Sequence, residues 1–218
     1  MIRYKTLQRL IDIQTTGWQK VSDSWAYASA TTITVPSGAA SYYAVGDKIK
    51  LTQTTVKYFY IVAVADTLLT VTGGSDFTVA NAAITDINIS KMATPIDFPA
   101  RFTWSPTWTA SGSMTISSVS VAVAEFVITG MVVEYWLKAS FTLGGTASSQ
   151  VRHTLPIVAA LADNTSISNG DMYDGSTNLS HGVWSSTGGF VYNHKPTASN
   201  WTLGGSRQIR TTGRYYYV

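Results

Sequence analysis

Between residues 46 and 64 the chain reads GDKIKLTQTTVKYFYIVAV, changing polarity at almost every step, and this period of two predicts strand. Ile49, Leu51, Gln53 and Thr55 then share one face and Lys48, Lys50 and Thr52 the other, as in a half-buried antiparallel strand. Tyr58, Phe59 and Tyr60 follow as an unbroken aromatic run. Tyr58, Tyr60 and Val62 oppose Phe59, Ile61 and Ala63, so both faces carry bulk. One face must be core, and the other is covered by a neighbour or meets a ligand. The expectation is a core on one side and a contact between modules or subunits on the other.

The same short period, broken by turns, runs through the rest of the chain. TTITV stops at Pro36-Ser37-Gly38, LLTVT at Gly73-Gly74, and ITDINIS closes a small β module over residues 17–92. A linker is expected over 93–100, where Pro95 and Pro99 cannot serve a central strand. Residues 101–218 then alternate in long runs, among them SMTISSVSVAVAEFVI, MVVEYWLKASFTL, SQVRHTL, GFVYNHK and SRQIRTTGRYYYV. Strands joined by Gly-rich turns, without helical stretches between them, predict an antiparallel β-sandwich of jelly-roll type. The whole is therefore expected to be all-β, a small barrel-like module followed by a sandwich, with no repeat of fixed period. Only residues 1–16 have a helical spacing, with Tyr4, Leu7, Leu10 and Ile11 on one face. So short a helix is marginal alone, so this segment either docks on something or frays.

Composition narrows the classes of function. Charged residues make up 12% of the 218, leaving a surface rich in hydroxyls, and the 15 Lys and Arg are scattered. A nucleic-acid partner is not expected despite the net charge of +3, because a phosphate backbone needs clustered cations. Cysteine is absent, which excludes disulfides and thiolate zinc sites. The start lacks the apolar core of a signal peptide, and Glu125, Gly130 and Glu134 interrupt the longest apolar stretch, so no membrane insertion is expected. Without a visible secretory route, the Asn-x-Ser/Thr sites at Asn88, Asn164, Asn178 and Asn200 carry little weight.

Two stretches carry a family resemblance. SDSWAYASATTITVPSGAASYYAVGDKIKLTQTTVKYFYIVAVADTLLTVTGG, continued by VANAAI, resembles a small β module of tail-fibre and related virion structural proteins in tailed bacteriophages and prophages. PTWTASGSMTISSVSVAVAEFVITG, with GGTASS and TLP after it, is similar to the β-sandwich that often follows that module. The resemblance covers residues 17 to about 160. It implies an assembly or adsorption role in a virion, as a homotrimer whose first residues contact other virion proteins. With only a short segment before the module, it favours a tail tip, short fibre or head fibre over a long fibre.

Catalytic chemistry has one candidate. A two-residue turn at Thr129-Gly130 would bring Glu125 opposite Glu134, the only glutamates in the chain, at about the 5 Å of a retaining glycosidase. Like charges directly opposite destabilise a sheet, so another register or a nearby cation, Lys138 or Arg152, is the competing reading. His153, His181 and His194 lack zinc-ligand spacing, no Gly-x-Ser-x-Gly elbow supports a triad, and no phosphate-binding loop is present. Asp163, Asn164, Asn169, Asp171, Asp174 and Asn178 offer oxygen to calcium, though Asp and Asn beside Gly are also ordinary turn residues.

The stronger candidate surface is aromatic. Trp184, Tyr192 and Trp201, with His181, Asn193 and His194, combine rings with amide and imidazole groups, which suits a sugar's apolar C–H patches and hydroxyl rim. The alternative is that these tryptophans fill the sandwich core or a trimer interface. The tail RQIRTTGRYYYV alternates enough to be a final strand, with Arg207, Arg210 and Arg214 available for pairing across subunits, and is read as structural rather than as a ligand site. The expectation is a non-enzymatic virion protein without cofactor or metal that contacts a host-surface glycan. The rival is a free carbohydrate-binding module or glycan hydrolase.

Overall fold

The computed structural model describes residues 14–158, 167–175, 178–186, 189–195 and 199–217, with the backbone alone for 167–169 and 178–186. The amphipathic segment expected over residues 4–11 lies outside the described residues. The chain is all-β and divides into two compact units, Met1–Phe102 with Ile128–Gly130, and Thr103–Val127 with Met131–Val218.

The first unit holds β1 (Gln19–Lys20), β2 (Ala26–Ser29), β3 (Thr32–Thr34), β4 (Lys48–Gln53), β5 (Thr55–Ala65), β6 (Leu68–Thr72) and β7 (Thr85–Ser90). They form one antiparallel sheet in the order β1-β7-β4-β5-β6-β3-β2. The order is open, with β1 and β2 as edges, and among the described residues no pairing closes it into the expected barrel. The alternation at 46–64 becomes the hairpin of β4 and β5, with Lys50 opposite Tyr58, Ile49 opposite Phe59 and Lys48 opposite Tyr60. Ile49, Leu51, Phe59 and Ile61 enter a core with Trp25, Ile33, Leu69 and Ile89. Gln53 reaches the same interior and is satisfied there: its amide donates to the carbonyls of Ala80 and Ala82 and accepts from the Ala80 N–H.

The Tyr58 and Tyr60 face of β5 is covered from within the same unit, where a contact between modules or subunits was expected. Phe98, in the Pro-rich stretch, packs edge-on at 5.0 Å from Tyr60 and 5.9 Å from Tyr58, and Phe102 lies 5.3 Å from Tyr60. Trp18 closes the other side, its indole N–H donating to the Ile96 carbonyl at 2.7 Å. Lys48 lies over the rings of Tyr60 and Phe98, and burial lowers its pKa. The segment expected as linker therefore lies as a strap across the sheet.

The second unit carries a nine-stranded antiparallel sheet, to which β8 (Phe102–Thr103) contributes from the unit boundary. The other strands are β9 (Trp108–Ala110), β10 (Met114–Thr129), β11 (Val132–Gly145), β12 (Gln150–Thr154), β13 (Ile167–Asp174), β14 (Asn178–Ser186), β15 (Phe190–His194) and β16 (Gly204–Tyr216). Their order is β8-β10-β11-β16-β13-β14-β15-β12-β9. The last strand thus inserts between β11 and β13, in register from Val132 opposite Tyr216 to Thr142 opposite Ser206, after which a bulge brings Leu143 opposite Gly204. The sheet folds over on itself, since Trp108 of β9 meets Phe141 of β11 at 5.4 Å and Tyr135 meets His153 at 6.4 Å. Alternate residues of β11, from Val133 through Tyr135, Leu137, Ala139 and Phe141 to Leu143, are buried in the fold so formed. Burying each large side chain contributes about 1.5–3 kcal/mol.

Candidate functional site

Five of the expected glycan residues fall on the neighbouring strands β14 and β15 of the second sheet, and Trp201 lies in the chain between β15 and β16. β15 pairs with β12 through Gln150↔His194, Val151↔Asn193, Arg152↔Tyr192 and His153↔Val191, and with β14 through Trp184↔Tyr192. Residues directly opposite in an antiparallel pair share a face. Asn193 goes inward with Val151, whereas Tyr192 and His194 stand half-buried on the outer face with Gln150 and Arg152.

Asn193 is fully buried, its amide donating to the Val151 carbonyl at 3.0 Å and lying 3.1 Å from Nδ1 of His153. Trp201 is 1% exposed, 6.0 Å from Phe141, and its indole N–H donates to the Asn193 carbonyl. Both are core members, which corrects their expected place on a surface. Trp184 and His181 occupy strand positions opposite Tyr192 and Gly170, and their side chains lie outside the described residues.

The outer face is built around Arg152, which sequence reasoning treated only as a counter-charge. Its guanidinium carbon sits 4.8 Å over the Tyr192 ring, and Nε and Nη2 donate to Gln150 Oε1 at 3.1 and 2.6 Å. Tyr192 stacks on His194 with ring centres 6.5 Å apart and planes within 11°. Burial first, then the neighbouring Arg152 charge, lowers the His194 pKa, so its imidazole is neutral at pH 7 and offers one donor and one acceptor. Among the described residues no carboxylate forms an ion pair with Arg152. The row offers flat aromatic surface, hydrogen-bond donors and an available cation. The alternation of SQVRHTL was the signal: it sets Arg152 on the face opposite Val151.

The remaining candidates resolve differently. β10 ends at Thr129 and β11 starts at Val132, so the turn is Gly130-Met131, one residue later than expected, with Gly130 at φ +60°. Counting outward from it sets Glu125 against Trp136 and Glu134 against Val127, not against each other. The cation of Glu134 is Arg214, opposite it on β16 with Nε at 3.5 Å from Oε1, rather than Lys138 or Arg152. Asp171 and Asp174 have opposite parity on β13, Asp171 exposed and Asp174 buried, while Asp163 and Asn164 lie outside the described residues. Among the described residues no group of three potential metal ligands gathers.

Asp174 instead holds the chain after β15. It receives Lys195, Arg207 Nε at 2.8 Å, and the N–H and hydroxyl of Thr202. Arg207 also donates to the carbonyls of Thr202 and Leu203, so this arginine is buried within its own unit. Comparison with known proteins returns no match: no family model, no curated protein and no solved structure aligns with the chain.

Proposed function

We propose that this chain is a non-enzymatic virion protein of a tailed phage or prophage, an appendage subunit at a tail tip, short fibre or head fibre that contacts a host-surface glycan. Virion origin rests on the sequence resemblance over residues 17–160. The observation that carries the glycan contact is the outer row of Arg152, Tyr192 and His194, where a ring can lie on the aromatic face while its hydroxyls meet guanidinium and imidazole. Residues 1–16 dock the subunit to its particle, and three copies form a homotrimer. Three weak sites on one rigid tip, repeated over the virion, give avidity without a tight single site.

The first test is solution mass, expected near three times the 23.5 kDa of the chain, together with protein mass spectrometry of gradient-purified particles. Purified protein should block adsorption to host cells, and Tyr192→Ala should weaken the block about tenfold. Absence of the chain from particles overturns the virion assignment. A free carbohydrate-binding module would use the same row, and deletion of residues 1–16 separates the two, since only the virion protein then loses incorporation.

A further inference from the structure

A second polar surface of this unit lies on β13 and β16, apart from the Tyr192 row on β15. A groove of about 380 Å³ opens on β13 and β16, lined by Asp171, Met172, Tyr173, Gln208 and Arg210. That volume falls in the range of small-ligand sites. Register builds it: Asp171 lies opposite Arg210 and Tyr173 opposite Gln208, and across β16 Lys138 lies opposite Arg210. Lys138, Arg210 and Asp171 thus form a row over three strands with neighbours about 5 Å apart.

None of these three forms an ion pair with a described residue. The contrast with Asp174 and Arg207, which saturate each other nearby, is sharp. Lys138 beside Arg210 is an unfavourable juxtaposition, and Asp171 offsets only one of the two charges. The row of three therefore keeps a net positive charge, with Lys138 flanking a groove whose own lining presents both a guanidinium and a carboxylate. Tyr173 is fixed at its edge by a hydroxyl hydrogen bond to the Gly175 carbonyl at 2.9 Å.

A bare polyanion such as a phosphate chain would meet repulsion from Asp171. A ligand with hydroxyl donors for Asp171, a negative group for Arg210 and an apolar ring face for Tyr173 matches every group present. We propose that this groove binds an acidic saccharide, with the ring against Tyr173, hydroxyls donating to Asp171 and bonding the Gln208 amide, and the sugar carboxylate on Arg210 backed by Lys138.

The inference deepens the attachment reading by naming a ligand class, but binding is measured on the purified full chain, so the two fail separately. Particles that contain a chain unable to bind sugar would defeat the groove alone. Sugar binding by a chain absent from particles would defeat the virion reading alone.

The experiment is calorimetric titration with trigalacturonate, with neutral galactotriose as the comparison. Trigalacturonate should bind at least about tenfold tighter, the effect of one hydrogen-bonded charge. Arg210→Ala should lose about tenfold and Arg210→Lys should recover part of it, with melting temperatures unchanged in both. Asp171→Asn distinguishes a sugar site from a simple cationic patch. It weakens trigalacturonate if the carboxylate accepts hydroxyls and strengthens it if the site only attracts negative charge. Equal binding of the two sugars, no binding at millimolar concentration, tighter binding by Asp171→Asn, or equal displacement by inorganic sulfate would each overturn the proposal.

Discussion

Replacing Asp174 by asparagine removes one charge and leaves two buried cations facing it. The carboxylate is 4% exposed, Arg207 5% and Lys195 10%, and Thr202 donates to it twice. Breaking such a buried set from one side costs about 3–5 kcal/mol, most of it the penalty of an uncompensated charge. For a unit of this size, about 3–5 °C per kcal/mol translates this into a melting point lower by about 10–20 °C. The control is Glu134→Gln, which breaks the Arg214 pair with side chains 44% and 65% exposed and should cost less than about 1 kcal/mol. Calorimetry with urea unfolding reads both. Burial alone would raise the Asp174 pKa, but the hydrogen bonds from Lys195 and Thr202 outweigh it and hold the group below its ordinary value. Its stabilisation is therefore present above the unfolded pKa of about 4 and is lost as pH falls through the folded one. An Asp174→Asn variant within about 1 kcal/mol of the parent, or with an undiminished acid transition, refutes this account.

Tyr215→Phe removes a hydroxyl that donates to the Ile157 carbonyl at 2.8 Å and accepts its N–H at 3.1 Å, and should cost about 1–3 kcal/mol by urea denaturation. Gly145→Ala places a Cβ 2.2 Å from the Ser113 carbonyl at φ +74°, and should cost at least about 2 kcal/mol, well beyond Gly112→Ala, which shares a positive φ of +61° but whose Cβ meets only the Ser148 side chain, at 3.4 Å and beyond. Burial raises the Tyr60 phenol to about 12, so its stabilisation is full below the unfolded value of about 10 and is lost as pH rises through the folded one. Tyrosinate absorbance should show Tyr60 ionising late, together with alkaline unfolding.

Much of the fold was legible because a period of two survives any tertiary context in which one face of a strand is buried. β4, β5, β10, β11 and β16 lie close to where alternation puts them. Which polar residues go inward was not legible from polarity alone. An amide suits sugars, which points Asn193 to a surface, yet the parity of FVYNH places it with Val191, and His153 on the facing strand gives it a partner. Polarity named the residue and parity named its face. Trp201 lies outside any strand, so parity could not assign it, and its burial depends on Phe141 some sixty residues away in sequence. The strap over Tyr58 and Tyr60 escaped for a related reason. Pro95 and Pro99 correctly excluded strand, but nothing local says that a non-strand segment will lay Phe98 across a sheet.

A chain with 12% charged residues gives each charge unusual diagnostic weight. In the second unit Asp174 binds Lys195 and Arg207, and Glu134 binds Arg214. Arg152, Arg210 and Lys138 then stand on outer sheet faces without an ion pair among the described residues. A hydroxyl-bearing residue in place of Lys138 or Arg210 keeps the sheet as well solvated and removes their mutual repulsion. The Lys138–Arg210 pair therefore costs a little stability, whereas Arg152 is held by Gln150 and Tyr192, and each site leaves a cation near a tyrosine ring. With binding sites on both surfaces, neutralising Arg210 should leave stability unchanged or slightly raised and neutralising Arg152 should cost only about 1 kcal/mol, while both weaken saccharide binding. A purely structural sheet would show no such separation between stability and binding.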